Sequence, residues 1–397
     1  MGKARFRLSD LIVTLPCLLS EQAIRYQNGN ARSRMSRRSM TRLATAVTAA
    51  GTICALGAGA AVAAPAASWS GPSAPIPGAF TNNSPALSTV AFPGPIGQGT
   101  LVAWRGRGAA GHIFYKFRTP HRGWSKLGEI PGANAITNVA PAIRGYKDPL
   151  GRNALLAVWT GHADHHIWYS QGETRTNGTI GWTKPAVLPK TVALTNTIEG
   201  PSVFFPNNRN LVIVAWRAPF NHVRFSIGIP AKRNFKWSNS TVVPGNPASP
   251  TKVHCKQAPC TSATPAIAEV QTGTARGTLY IFWKQLGTRH VFYSTTTDNG
   301  ATNWSHLVWS GPARVPGAAT LLAPTASSVR LFGPLLLAYK APFGTHIRFQ
   351  TLTKMGWSAV GVVPAARTTN APALLGGTLA HTKPTSVGNI VLHHFTP

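Results

Sequence analysis

Trp124-Ser125-Lys126-Leu127-Gly128-Glu129-Ile130-Pro131 is one copy of a pattern that recurs along this chain: a Trp, then Ser or Thr, four variable residues, an aliphatic residue and Pro. The same spacing holds in Trp182-Thr183 to Leu188-Pro189, Trp237-Ser238 to Val243-Pro244, Trp309-Ser310 to Val315-Pro316 and Trp357-Ser358 to Val363-Pro364. Trp69-Ser70 to Ile76-Pro77 fits with one extra residue. These tryptophans lie 55, 58, 55, 72 and 48 residues apart, and near the long gap Trp304 competes with Trp309 for the repeat position. A period of about 55 residues without helical patterning marks stacked β units that bury their faces against one another.

Each unit carries further marks. After the Trp segment comes a Thr-rich turn and a Pro that opens an apolar strand, as in Thr137-Asn138 before Pro141, Thr195-Asn196 before Pro201, Thr261-Ser262 before Pro265 and Thr369-Asn370 before Pro372. A second strand ends on an aromatic residue, usually followed by a base or Thr: Trp104-Arg105, Trp159-Thr160, Trp216-Arg217, Trp283-Lys284, Tyr339-Lys340. A short turn later, a His opens a third strand at His112, His166, His222, His290 and His346. With the next repeat Trp, that makes four strands per unit, rich in β-branched and aromatic residues. The last unit lacks its fourth strand, and the segment at Trp69 is a fourth strand without a unit. The expectation is an all-β, six-bladed β-propeller of four-stranded blades, closed by the N-terminal strand pairing into the blade that holds Val391.

The composition agrees: of 397 residues, 38 are Gly and 32 Pro, and only 12% are charged, which suits short strands joined by turns. The charge is one-sided, with 39 Lys and Arg against 9 Asp and Glu. Such a surface steers anionic polymers inward; charge alone also admits nucleic acid, while plain solubility needs no partner at all. Arg37-Arg38, the Ala-rich run from Leu43 to Val62 and Ala61-Val62-Ala63 form the three regions of a secretory signal. Ser36-Arg37-Arg38-Ser39-Met40 loosely resembles a bacterial twin-arginine signal, so the export route stays open. The run is too weakly apolar to hold as a membrane span. Residues 35–63 are therefore expected to be the signal, residues 1–34 a doubtful upstream leader, and 64–397 one exported, monomeric propeller domain. Export implies oxidising surroundings, so Cys255 and Cys260 are expected to form a disulfide.

Thr297-Asp298-Asn299-Gly300-Ala301-Thr302-Asn303-Trp304 resembles an Asp-box, the turn of sialidases and related propellers, with one extra residue before the Trp. The unit order also resembles that of fucose-binding propeller lectins. The Asp-box stabilises turns in that family and implies fold, not catalysis.

In four-stranded blades, the loops before the first strand and between the second and third share one face. Trp104, Trp159, Trp216 and Trp283 are candidates there to stack on sugar rings, with Arg105, Arg217, Lys284 and Lys340 meeting anionic groups. The competing reading makes the repeated Trp a wedge between blades and the repeated His a hairpin device. Arg107 and Arg289 recur in only some blades, which favours a ligand role. Ordinary glycosidases need paired carboxylates; on this map only Asp164 and Glu199 lie on that face. A sialidase resemblance further requires a Tyr nucleophile, for which Tyr339 is the candidate, and the arginine motif that opens such domains is absent. His162-Ala163-Asp164-His165-His166 matches no standard metal spacing, and neither metal nor cofactor is expected. The leading expectation is a secreted, non-catalytic propeller binding glycans or anionic wall polymers; the alternative is a sialidase-like exo-glycosidase.

Overall fold

The computed structural model describes residues 68–397 except 109–110, 190–198, 208–209, 232–233, 244–258, 272–276, 298–306, 330–332 and 386. The leader and signal, Cys255, Thr195-Asn196, Trp304 and all of the Asp-box segment after Thr297 lie outside the described residues.

The described strands form six antiparallel sheets. The innermost strands, Ala86–Ala91, Ala142–Lys147, Ser202–Phe204, Ala266–Val270, Thr325–Ser328 and Ala373–Leu375, each contact the inner strands of the two neighbouring blades, and the last contacts the first. The protein is a closed six-bladed propeller. In the closing sheet Ser68–Trp69 pairs with Ile390–Thr396, placing Trp69 opposite Phe395. The same sheet holds Val391 opposite His381. In four blades the outer strand splits into two short segments that both pair with the third strand, as Gly123–Trp124 and Gly128–Glu129 do with Ile113–Thr119. Among the described residues no helix is long and apolar enough to cross a membrane.

The split has a cause in the repeat. In all six copies the hydroxyl after the Trp accepts a hydrogen bond from a third-strand N–H: Phe117 to Ser125, Gln171 to Thr183, Ile227 to Ser238, Thr295 to Ser310, Thr351 to Ser358 and His394 to Ser70, at 2.9–3.1 Å. A side-chain oxygen thus stands in for a ladder carbonyl while the outer strand leaves the sheet. The aliphatic residue brings it back: Ile76, Ile130, Leu188, Val243, Val315 and Val363 are fully buried. Pro then ends the pairing. Ser310 makes the repeat bond and Trp309 is buried against Phe225, so Trp309 holds the repeat position.

The core is divided among six clusters, one at each junction between blades. Repeat tryptophans pack edge-on against a third-strand aromatic of the preceding blade: Trp182 on Tyr115, Trp237 on Tyr169, Trp309 on Phe225, Trp357 on Tyr293 and Trp69 on Phe349, with ring centroids 5.5–5.9 Å apart. Each such pair adds about 0.5–1.5 kcal/mol beyond its buried area.

A second junction device is polar. Thr81, Thr137, Thr261, Thr320 and Thr368 are wholly buried. Each accepts on its hydroxyl an N–H two residues ahead. Each also donates its own N–H to the second-to-third-strand loop of the preceding blade, at Gly388, Gly111, Asn221, Arg289 and Thr345. In the last blade this Thr is Thr368 and not Thr369, because only the former reaches that loop.

Candidate functional site

The threonine bonds join the loops before the first strands to the loops between second and third strands, fixing both on one face of the ring. Of the residues expected to act there, the aromatic set does not reach it. Trp104, Trp159, Trp216 and Trp283 are 0–1% exposed, and Trp159 and Trp283 use their indole N–H groups on Asn134 O and Gln285 Oε1. They wedge between blades, and the expectation that they stack on sugars is corrected. Tyr339 is likewise buried; its hydroxyl donates to Gln350 Oε1 at 3.2 Å, and burial pushes its pKa up to about 12. A phenol so enclosed does not fit the role of a nucleophile.

The bases that follow these aromatics brace the loops. Arg105 donates from Nε to Thr137 O at 2.8 Å and from Nη2 to Gly108 O. Arg217 holds Asn221 Oδ1 with two N–H groups and lies 3.6 Å from Glu199. Lys284 is buried and donates to Ser262 Oγ at 2.6 Å; desolvation, then the charge of Arg217, lower its pKa. Lys340 donates to Ala341 O. The expectation that Arg105, Arg217, Lys284 and Lys340 are first of all ligand groups is therefore corrected: each is tied to the loop or turn beside it. Among the repeated histidines, His112 sits 2.8 Å from Glu129.

The two candidate carboxylates have different surroundings. Asp164 accepts from His166 N and from Trp168 Nε1, closing the turn in which His165 has φ of 54°. Glu199 is partly buried, and desolvation raises its pKa against the opposing pull of Arg217. The described contacts do not join the two carboxylates. Among the described residues no group of three or more His, Cys, Asp or Glu could hold a metal.

What the face does expose is Arg107, Arg289 and a set of phenylalanines. A cleft of about 420 Å3 at the seam between the last and first blades is lined by Phe80, Phe114, Arg107, Leu127 and Val387, and by Trp104, which is 1% exposed. Arg107 bridges the seam by donating to Val387 O at 3.3 Å. Across the face Arg289 lies over the ring of Phe343 at 4.3 Å, a cation–π contact in which Phe343 remains 69% exposed. Phe220 is 73% exposed and held at a φ of 63°. A bulky residue in the left-handed region is strained, and such strain gathers at functional positions. Phe220 and Phe343 occupy equivalent loops as Ala218-Pro219-Phe220 and Ala341-Pro342-Phe343; that repeated Pro-Phe was the legible signal for them.

Two other concavities stand apart. The axial channel, about 150 Å3, is ringed by Pro85, Pro141, Pro201, Pro265, Pro324 and Pro372. On the opposite face a cleft of about 490 Å3 lies beside Asp148, Arg152 and Glu173; Arg152 bridges the two carboxylates at 2.7 Å each.

No protein-family model matches the sequence, and no curated protein matches it. Solved structures do. A mutant of NanB sialidase from Streptococcus pneumoniae superimposes with a TM-score of 0.51 at 10% identity, covering 82% of this chain and 70% of that one. An α-L-arabinanase of Penicillium chrysogenum gives 0.48 at 12% identity over 81% and 96%. Aleuria aurantia lectin in complex with Fucα1-6GlcNAc gives 0.46 at 12% over 72% and 81%. At these identities the likeness is one of fold alone, the β-propeller.

Proposed function

We propose that this protein is an exported, non-catalytic propeller that binds glycans or anionic surface polymers through the face carrying Phe80, Phe114 and Arg107. The seam cleft carries the proposal. It sets two aromatic rings beside a guanidinium in a space of about 420 Å3, within the roughly 300–1,000 Å3 of small-molecule sites. An aromatic face takes the C–H surface of a sugar, and the guanidinium takes a carboxylate, sulfate or phosphate. The exposed Arg289–Phe343 pair offers the same combination elsewhere on the face. A chain net charge of +30 draws polyanions toward it. The N-terminal signal pattern supports export, which would bring the protein to such polymers. Both enzymes and lectins occur among the structural neighbours, so the choice rests on the site.

The glycosidase alternative has one observation in its favour. Glu199 has a raised pKa and sits beside Arg217, as a general acid would. Against it, Asp164 is engaged in closing its own turn, accepting from His166 N and Trp168 Nε1. A fluorogenic sialoside assay tests this directly. No turnover is expected; turnover lost in Glu199→Gln would replace the binding reading with the enzymatic one.

A further inference from the structure

Among the described residues, the lining of the axial channel carries one charge and no acid. Each inner strand begins at a Pro of the ring, and the third residue after that Pro is Ser88, Arg144, Phe204, Ala268, Ser327 and Leu375 in successive blades. Ser88 and Ser327 cap the next blade by accepting from Gly145 N and Gly376 N. Arg144 departs from this series and, among the described residues, is the one charged residue lining the channel. Its guanidinium lies 5.2 Å from the centre of the Phe204 ring in the neighbouring blade. Among the described residues its side chain makes no hydrogen bond and no ion pair. It is partly reached by solvent through the channel, yet desolvation lowers its pKa to about 10, which leaves it charged at neutral pH.

A half-buried guanidinium with no acceptor among the described residues keeps unused donors. It offers five N–H donors in a planar fork, a shape that matches an oxyanion bidentately. The channel, about 150 Å3, is well below the roughly 300–1,000 Å3 of small-molecule pockets. Its walls of Pro and Ala contribute neither acids nor competing charges. The space suits a single oxyanion group, not a sugar ring.

We infer that the axial channel is a binding site for one oxyanion group, a phosphate, sulfate or carboxylate, held by Arg144 over the Phe204 ring. The inference does not rest on the seam cleft or on glycan binding. The anion completes a junction between the second and third blades, so binding stabilises the ring.

The test is thermal unfolding of the purified full chain titrated with inorganic phosphate or sulfate, against chloride at matched ionic strength. A saturable rise in Tm is expected for the oxyanions, with affinity reduced at least tenfold in Arg144→Met and by less in Arg144→Lys, which keeps the charge but loses the bidentate fork. No saturable response in the wild type, or an equal response in Arg144→Met, overturns the inference. Should Arg144→Met fail to fold, selenate soaked into wild-type crystals decides: anomalous density beside Arg144 supports the site, and its absence from the channel refutes it. A monosaccharide phosphate ester distinguishes the sources. Arg144-dependent binding of the ester means the group arrives on a larger ligand, and binding of inorganic phosphate alone means a free ion.

Discussion

His381 and His393 stack within the closing blade, with their Nε2 atoms 3.2 Å apart and ring centroids 5.2 Å apart. His381 occupies the position that holds Trp or Tyr in the other five blades. Nδ1 of His393 lies 3.2 Å from the carbonyl oxygen of Ser70, which only accepts, so this nitrogen carries the proton and Nε2 of His393 accepts from His381. The bond between the imidazoles needs one neutral ring to accept, so it is lost when both are protonated, and the His393–Ser70 contact ties the N-terminal closing segment to the last strand.

Acid should therefore loosen the ring closure. Burial, then the neighbouring imidazole, pushes His381 from 6.5 down to about 4, and burial also lowers His393. Lys383 near both imidazoles, and His394 beside His393 as it takes up a proton, add to the effect. Because the unfolded chain takes up protons that the folded one refuses, this contribution is intact above pH 6.5 and is lost as the pH falls toward 4. For His381 it is on the order of 3 kcal/mol. Tm measured from pH 8 to 4 should fall below pH 6.5, and more gently in His381→Phe. Parallel curves for the two proteins would contradict the assignment.

The buried threonines predict a second effect. Thr137→Val keeps the shape but removes the hydroxyl that accepts from Val139 N. A buried N–H left without its partner costs about 1–3 kcal/mol. Urea unfolding should show that loss, with Thr137→Ser close to wild type. An unchanged midpoint for the Val variant would mean the hydroxyl is dispensable.

Ring closure predicts a third. Trp69→Ala removes a ring packed on Phe349 and Phe395, at a cost of about 3–5 kcal/mol. Hydrogen exchange should rise first along Ile390–Thr396. Uniform exchange across all blades would argue against a local seam.

How far the sequence carried is seen residue by residue. The Trp-Ser/Thr spacing encodes a repeated hydrogen bond and a repeated aromatic contact, so blade number, closure at Trp69 and the packing of the tryptophans follow from it. The candidate site was harder. A period of two does not say which Trp faces solvent, and here Trp104 and Trp216 face neighbouring blades. Arg105 and Arg217 looked free because their acceptors, Thr137 O and Asn221 Oδ1, belong to loops whose folding the sequence does not reveal. Arg107 was legible because it breaks the repeat, whereas Phe80 and Arg144 needed the ring to be closed before their positions had meaning.

The cysteines make a fourth prediction. Cys260 is buried where its loop meets the third blade, paired by a backbone bridge to His222, and an exported chain meets oxidising conditions. Non-reducing peptide mass spectrometry should find Cys255 linked to Cys260. Two free thiols would count against both the bond and the exported setting.

The central claim is that the exposed face binds and does not cut. An array of neutral glycans, acidic glycans and phosphate-bearing wall polymers, probed at several salt concentrations, measures it most directly. The wild type is expected to retain acidic polymers with an affinity that falls as salt rises, and the double variant Phe80→Ala, Arg107→Ala to lose at least tenfold while keeping its Tm. Equal retention by that double variant, or retention of no glycan or polymer by the wild type, would contradict the account.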